Sequence, residues 1–191
     1  MKHRAPLATM AALLASPTLQ AEPPDVDPNV TEAKAIIQEF FGNLQGELQT
    51  AIQSGGPASA VTICNAKAPG IATDMSAQTG WNVGRTSLKL RNPGENAPDA
   101  WEQAVLLQFE ERKAAGESVE TMAYAETTEE NGAKTFRFMK AIPTAELCLT
   151  CHGTDLVPEV AAEINKSYPN DQATGFALGD IRGAFTLSKP L

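Results

Sequence analysis

The chain has 191 residues, 42% hydrophobic and 20% charged, with no low-complexity tract. That composition suits one globular domain and excludes collagen-like and mostly disordered chains. A formal charge of −8 argues against nucleic acid and anionic membrane surfaces as partners.

Met1-Lys2-His3-Arg4, an apolar stretch from Ala5 to Ala15 and a polar segment ending Leu19-Gln20-Ala21 follow the plan of a secretory signal peptide. The predicted division is a signal peptide over 1–21, an acidic, Pro-rich linker over 22–28 and a single domain over 29–191, placed in the periplasm. Pro6 and Pro17 argue against a stable helix at the start. No segment approaches the roughly 18–20 apolar residues of a membrane span, so no integral membrane segment is expected in the mature chain. Cleavage after Ala21 takes the formal charge from −8 to −10 and leaves His152 as the one histidine.

Ile36, Ile37, Phe40, Phe41, Leu44, Leu48 and Ile52 keep the three-and-four spacing of an amphipathic helix that stops at Gly55-Gly56. A second helix is predicted from Pro57, carrying Val61 and Cys64, and a third from Pro69 to Gly80. Residues 81–86 read as extended and 91–98 as turn-rich. Trp101, Val105, Leu106 and Phe109 mark a further helix, with Asp99 as its cap and Gly116 as its stop.

The pattern then changes to strand. Residues 121–127, a turn at Asn131-Gly132, and residues 134–142 read as a β-hairpin, with Phe136 and Phe138 alternating against Thr135 and Arg137. Pro143 ends it. A short helix follows, with Thr144 as its predicted cap, then a helix through Val160 and Ile164. Ile181, Phe185 and Leu187 alternate in a last strand. Helices first and strands later make an α+β domain with an antiparallel sheet.

Cys148-Leu149-Thr150-Cys151-His152 on the short helix is a C-x-x-C-H motif, the attachment signature of c-type haem. Two thiols three positions apart on one helical turn reach the two vinyl groups of a porphyrin edge, and the adjacent imidazole then points at the iron. One covalently held haem c is the predicted cofactor. A thioredoxin-like pair expects a βαβ context early in the domain. A Cys3His zinc site with Cys64 would need adjacent Cys151 and His152 to chelate one tetrahedral ion. A Cys148–Cys151 disulfide would close a small, strained ring.

With His152 as one axial ligand, the second is water, an external ligand, or one of Met75, Met122, Met139, Cys64 or a lysine. An unpaired cysteine in an exported protein invites an explanation, while a buried methionine or cysteine also serves as packing. Arg85, Lys89 and Arg91 form a basic segment of an otherwise acidic chain. They suit the haem propionates, and equally a solvated loop or an ion pair with Glu95 or Asp99. Trp81 and Trp101 read as core residues before haem contacts.

Five ordered segments carry a resemblance: Cys64 to Pro69, Gly84 to Pro93, Phe136 to Ile142, Cys148 to Gly153 and Gly179 to Phe185. Together they resemble an exported monohaem c-type cytochrome family of unknown function with a PAS-like fold, from about Thr31 onward. The resemblance implies an antiparallel sheet flanked by helices, with a long N-terminal helix. It also implies an axial pair of a histidine and a cysteine, here His152 and Cys64. That family also occurs as sensory input domains, so sensing is an expected option, and a transduction role is expected to need a separate partner.

The expected function is redox sensing or electron transfer by a low-potential haem, with a redox partner protein. The alternative is a sensor that binds a small gas such as NO or CO and works with a separate signalling partner. Peroxidase chemistry lacks a distal histidine, so no enzyme is expected. The hairpin and final strand argue against a helical cytochrome c′ bundle.

Overall fold

The computed structural model describes residues 27–191, so the predicted signal peptide and most of the predicted linker lie outside the described residues. A helical element α1 (Pro28–Thr79) opens the fold, capped by the Asp27 carboxylate, which accepts from the Asn29 N–H. Gly56, at φ 75° and ψ 178°, is its one non-helical position. Beyond it the chain turns back, so that Lys67 Nζ reaches Glu47 Oε2 at 2.7 Å and Asn43 Nδ2 approaches Met75 Sδ at 3.7 Å. The predicted stop at Gly55-Gly56 and restart at Pro57 correspond to this junction of two antiparallel arms. The predicted restart at Pro69 does not occur. Pro69 lies inside the second arm, where its missing N–H leaves the Asn65 carbonyl without a helical partner at a cost of roughly 3 kcal/mol. Packing of both arms outweighs that local preference.

After α1 come β1 (Asn82–Thr86), the short α2 (Pro93–Asn96) and α3 (Ala100–Ala114). Asp99 caps α3 in a reciprocal box with Glu102. The hairpin β2 (Ala123–Glu130) and β3 (Ala133–Pro143) closes through Asn131 and Gly132 at φ 52° and 81°, a turn whose twist matches its strands. Then follow α4 (Glu146–His152), α5 (Pro158–Ser167) and β4 (Ile181–Pro190). Thr144 does not cap α4: Ala145 holds that position, and the Thr144 side chain is fully buried.

The four strands form one antiparallel sheet in the order β1-β4-β3-β2. Alternation decides its two faces. Phe136, Phe138, Leu187, Phe185 and Val83 pack on Ile36, Ile37 and Phe40 of the first arm. Met139, Ala141, Ala184 and Ile181 pack on Val105, Leu106 and Phe109 of α3. The sheet is thus covered on both sides, and a smaller cluster of Val61, Val160 and Ile164 fastens the second arm of α1 to α5.

Near the start of β4 the register shifts beside Ile142 and Pro143, and Gly183 adopts φ 155°. A Cβ at Gly183 would collide with the Thr86 carbonyl and lie 3.0 Å from Ser87 Cβ, whereas one at Gly84 would meet only Thr186 Cγ2 at 3.6 Å. Gly183→Ala is therefore expected to cost about 2–4 kcal/mol in urea unfolding, and Gly84→Ala under about 0.5 kcal/mol. Equal effects at the two positions would refute this reading of the close approach.

Candidate functional site

The motif helix α4 ends against a loop that the sequence did not single out. Phe176 N–H donates to the His152 carbonyl at 2.9 Å and Gly175 N–H to the Gly153 carbonyl at 3.0 Å. His152 Nδ1 lies 2.6 Å from the Ala173 carbonyl. A carbonyl can only accept, so Nδ1 carries the proton and Nε2 keeps its lone pair. The Phe176 ring meets the imidazole edge-on at 6.2 Å. Burial first, and then the Arg182 and Arg91 charges, hold the imidazole neutral, pushed down to about 2.

Arg91 binds this arrangement together. Its Nη2 donates to the carbonyls of Cys151 and, at 3.2 Å, Ala173, and lies 2.8 Å from His152 Nδ1. Because that nitrogen bears a proton toward Ala173, the two carbonyls are the effective acceptors. Arg91 Nε sits 3.1 Å from Asp171 Oδ1, near enough for an ion pair yet off line for a hydrogen bond. Asp171 also accepts from the Ala173 N–H at 2.9 Å, which shapes the loop. The guanidinium lies over the Tyr168 ring. Arg91 is thus a strut between α4 and the 171–176 loop.

Lys89 has a similar commitment: Nζ donates to the Thr174 carbonyl at 2.7 Å and stands 4.6 Å from the Phe176 ring centroid. Arg85, on β1, lies over Phe40, and its side chain makes no hydrogen bond or ion pair with any described residue. Arg182 at the start of β4 was missed as a site residue. It lies over Phe176 and makes only long bonds, 3.4 Å each, to Ser87 Oγ and the Lys89 carbonyl. Burial and the Arg91 and Arg85 charges push it down to about 10.

Cys64 enters from the second arm of α1, which docks on α5 through Val61, Thr62 and Asn65. Thr62 Oγ1 donates to Glu163 and Asn65 Nδ2 to the Ser167 carbonyl. Cys64, Cys148 and Cys151 are unpaired and half-buried. Burial pushes the Cys64 thiol up, opposed by Arg85, and pushes Cys151 up, opposed by Arg91 and reinforced by Cys64 and Cys148. Tyr168, beside Cys64 and Arg91, is pushed up to about 12, chiefly by burial. Cys151 packs on the Val61 cluster of the second arm, and the charges of Arg85, Arg91 and Arg182 bear on His152 while Arg85 and Arg91 bear on Cys64, so these groups share one cationic neighbourhood.

Among the described residues no three His, Cys, Asp or Glu side chains converge as a metal cage. A haem does not ask for that convergence, because its thioether and axial positions lie around and across a broad disc. The donor set here, two thiols one turn apart, a free imidazole nitrogen, a separate thiol and guanidiniums, fits that group. Met75 belongs to the core against α1, Met122 and Met139 to the core against α3, each at most 2% exposed. Trp81 packs edge-on to Phe136, and Trp101 donates to Glu126, so neither tryptophan meets α4 in these contacts. Of two open surface grooves, one at Asn43, Ile71 and Asp74 is bordered by Met75, the other lies at Thr128, Arg137 and Ser188, and neither contains Cys64, Cys148, Cys151, His152, Arg85, Lys89 or Arg91.

The family model described as Tll0287-like matches residues 16–190. The chain belongs to the Tll0287-like family. The crystal structure of the cyanobacterial heme-protein Tll0287 is similar at 25% identity and a TM-score of 0.64, covering 86% of this chain and 96% of that one. No curated protein matches in sequence. No helix among the described residues is long and apolar enough to cross a membrane.

Within this Tll0287-like domain, Asp171, Ala173, Phe176, Tyr168 and Arg182 are the site residues that sequence reasoning passed over. Only the Gly179-to-Phe185 segment pointed toward any of them. Ala173 and Phe176 act through a main-chain carbonyl and a ring edge, for which residue type is no guide.

Proposed function

We propose that this protein is an exported, periplasmic monohaem c-type domain of PAS-like fold. It carries electrons or reports redox state to a partner protein and is not an enzyme. The haem, when bound, supplies one reversible electron at its iron. What the chain does is hold and tune that centre. What supports the reading is the packing of Cys151 on the Val61 cluster of the arm that carries Cys64, among the Arg85, Arg91 and Arg182 charges.

Cys148 and Cys151, free thiols one turn apart, are the residues for covalent attachment. His152 is one axial donor, its Nε2 lone pair aimed by the Nδ1–H bond to Ala173. Cys64 is the other, since Met75, Met122 and Met139 are fully committed to two cores. As a thiolate it is an anionic donor that favours the ferric state, which places the potential low. The similarity to a cyanobacterial heme-protein supports the haem itself.

The test is the absorption spectrum of the purified exported protein in both oxidation states, with the haem counted after acid–acetone extraction. One haem per chain should survive extraction, because thioethers are not broken by unfolding. A low-spin ferric spectrum with thiolate character is expected. Freely extracted haem, or stoichiometric zinc in place of haem, would refute the proposal. Tight CO binding to the ferrous protein would favour the gas-responsive alternative.

A further inference from the structure

The cationic neighbourhood of His152 holds more positive charge than the described residues neutralise. Arg85, Arg91 and Arg182 all act on His152, and Arg182 feels the other two guanidiniums. The neighbouring carboxylates are already engaged. Asp171 pairs with Arg91, and Glu47, near Cys64, pairs with Lys67. Two guanidiniums remain. Arg85 has no hydrogen-bonding or ionic partner among the described residues, and Arg182 has only two bonds at the long limit. Burying a cation without an anion is costly, so an uncompensated pair in a partly buried neighbourhood points to a dianionic ligand.

We propose that Arg85 and Arg182, rather than Lys89 and Arg91, hold the two propionate carboxylates of a haem bound at the Cys148–His152 motif. The inference rests on the haem reading above and adds which residues take its anionic edge. A guanidinium offers a fork of donors that matches a carboxylate, and Arg85 and Arg182 still have theirs available. Lys89 has turned its ammonium to the Thr174 carbonyl, and Arg91 donates through Nη2 to Cys151 and Ala173 and is charge-paired with Asp171. Moving either onto a propionate would release the loop that orients His152. Arg182 is also well placed by construction. It precedes Gly183, whose missing side chain lets β4 lie against Thr86 and Ser87, and its own carbonyl accepts from Ser87 Oγ at 2.9 Å.

The test uses the exported full-length protein as wild type, Arg85→Gln, Arg182→Gln, the two Arg→Lys variants and Lys89→Gln. Three measurements are made on each: covalently bound haem per chain, the ferrous-to-ferric ratio at a fixed ambient potential, and the propionate bending bands in resonance Raman spectra. Both Gln variants should keep covalent haem, because the thioethers do not depend on these arginines. Each should lower the ferrous-to-ferric ratio by roughly tenfold, as loss of one positive charge within about 10 Å at an effective dielectric of about 20 requires.

Each Gln variant should also shift a propionate band. The Lys variants should restore the ratio, since charge is kept, while the band stays shifted because the fork is lost. Lys89→Gln removes a nearby charge and a bond to the 171–176 loop, so its ratio can fall too, but it should leave the propionate bands where they are in wild type. Unchanged ratios and bands in Arg85→Gln and Arg182→Gln, or a propionate band shift in Lys89→Gln alone, would overturn the assignment. Should a Gln variant fail to fold, an unchanged band in the matching Lys variant overturns it as well. Absence of covalent haem from the wild type itself is a distinct outcome and would refute the haem reading instead.

Discussion

Replacing Cys64 with serine or alanine is expected to abolish the thiolate-type low-spin ferric spectrum and to raise the midpoint potential by on the order of 0.1 V or more, within the roughly 0.8 V that axial ligands command. A thiolate donates electron density to ferric iron and loses affinity when the iron is reduced. Its removal therefore stabilises the ferrous state relative to the ferric one. Cys64 sits half-buried on a helical arm fastened to α5, within the influence of Arg85 and Arg91. Burial raises its thiol pKa, and the iron must displace that proton to bind the sulfur. The low-spin signal should accordingly weaken as pH falls. Redox titration and ferric spectra of the two variants beside wild type check the claim. Unchanged spectra and potential would return Cys64 to a packing role.

The second large effect concerns attachment. Cys148→Ala or Cys151→Ala should sharply reduce covalent haem in the exported protein, and the double variant should abolish it, as read by haem staining after denaturing electrophoresis. Each single variant retains one thioether site and His152, so partial loading is expected there. The double variant retains only axial ligands, whose bonds do not survive unfolding. Full covalent loading of the double variant would overturn the role given to the two thiols. Because the α4 side chains are half-buried or exposed and lie outside the two sheet cores, these substitutions should leave urea stability of the haem-free chain within about 1 kcal/mol.

Much of the architecture was legible because it rests on local rules. Period-3.6 apolar residues announced the first arm of α1, Asp99 as a cap before Trp101, Val105 and Phe109 announced α3, and Asn131-Gly132 between alternating strands announced the hairpin. Pro69 misled because a helix breaker acts locally, whereas the second arm of α1 packs on Met75's core and on α5 and tolerates one lost hydrogen bond. Thr144 misled in the same way. Its side chain is drawn into the interior, where the Thr144 main chain exchanges hydrogen bonds with Asp180 and Gly179.

For the site, the sequence by itself determined the chemistry available: the spacing of Cys148, Cys151 and His152, the lone Cys64, and a cationic segment in an acidic chain. Those are properties of residue type and short-range spacing, which covalent connectivity carries without a fold. Only the tertiary structure decided which cations are free and which are struts. Lys89 and Arg91 look equivalent to Arg85 in sequence, yet the 171–176 loop folds over α4 and takes their donors with the Thr174 and Ala173 carbonyls, joined by the Cys151 carbonyl of α4. Arg182 arrives from the far end of the chain because β4 pairs between β1 and β3. Contacts of such long sequence separation depend on sheet register and loop closure, and neither is written in the spacing of neighbouring residues.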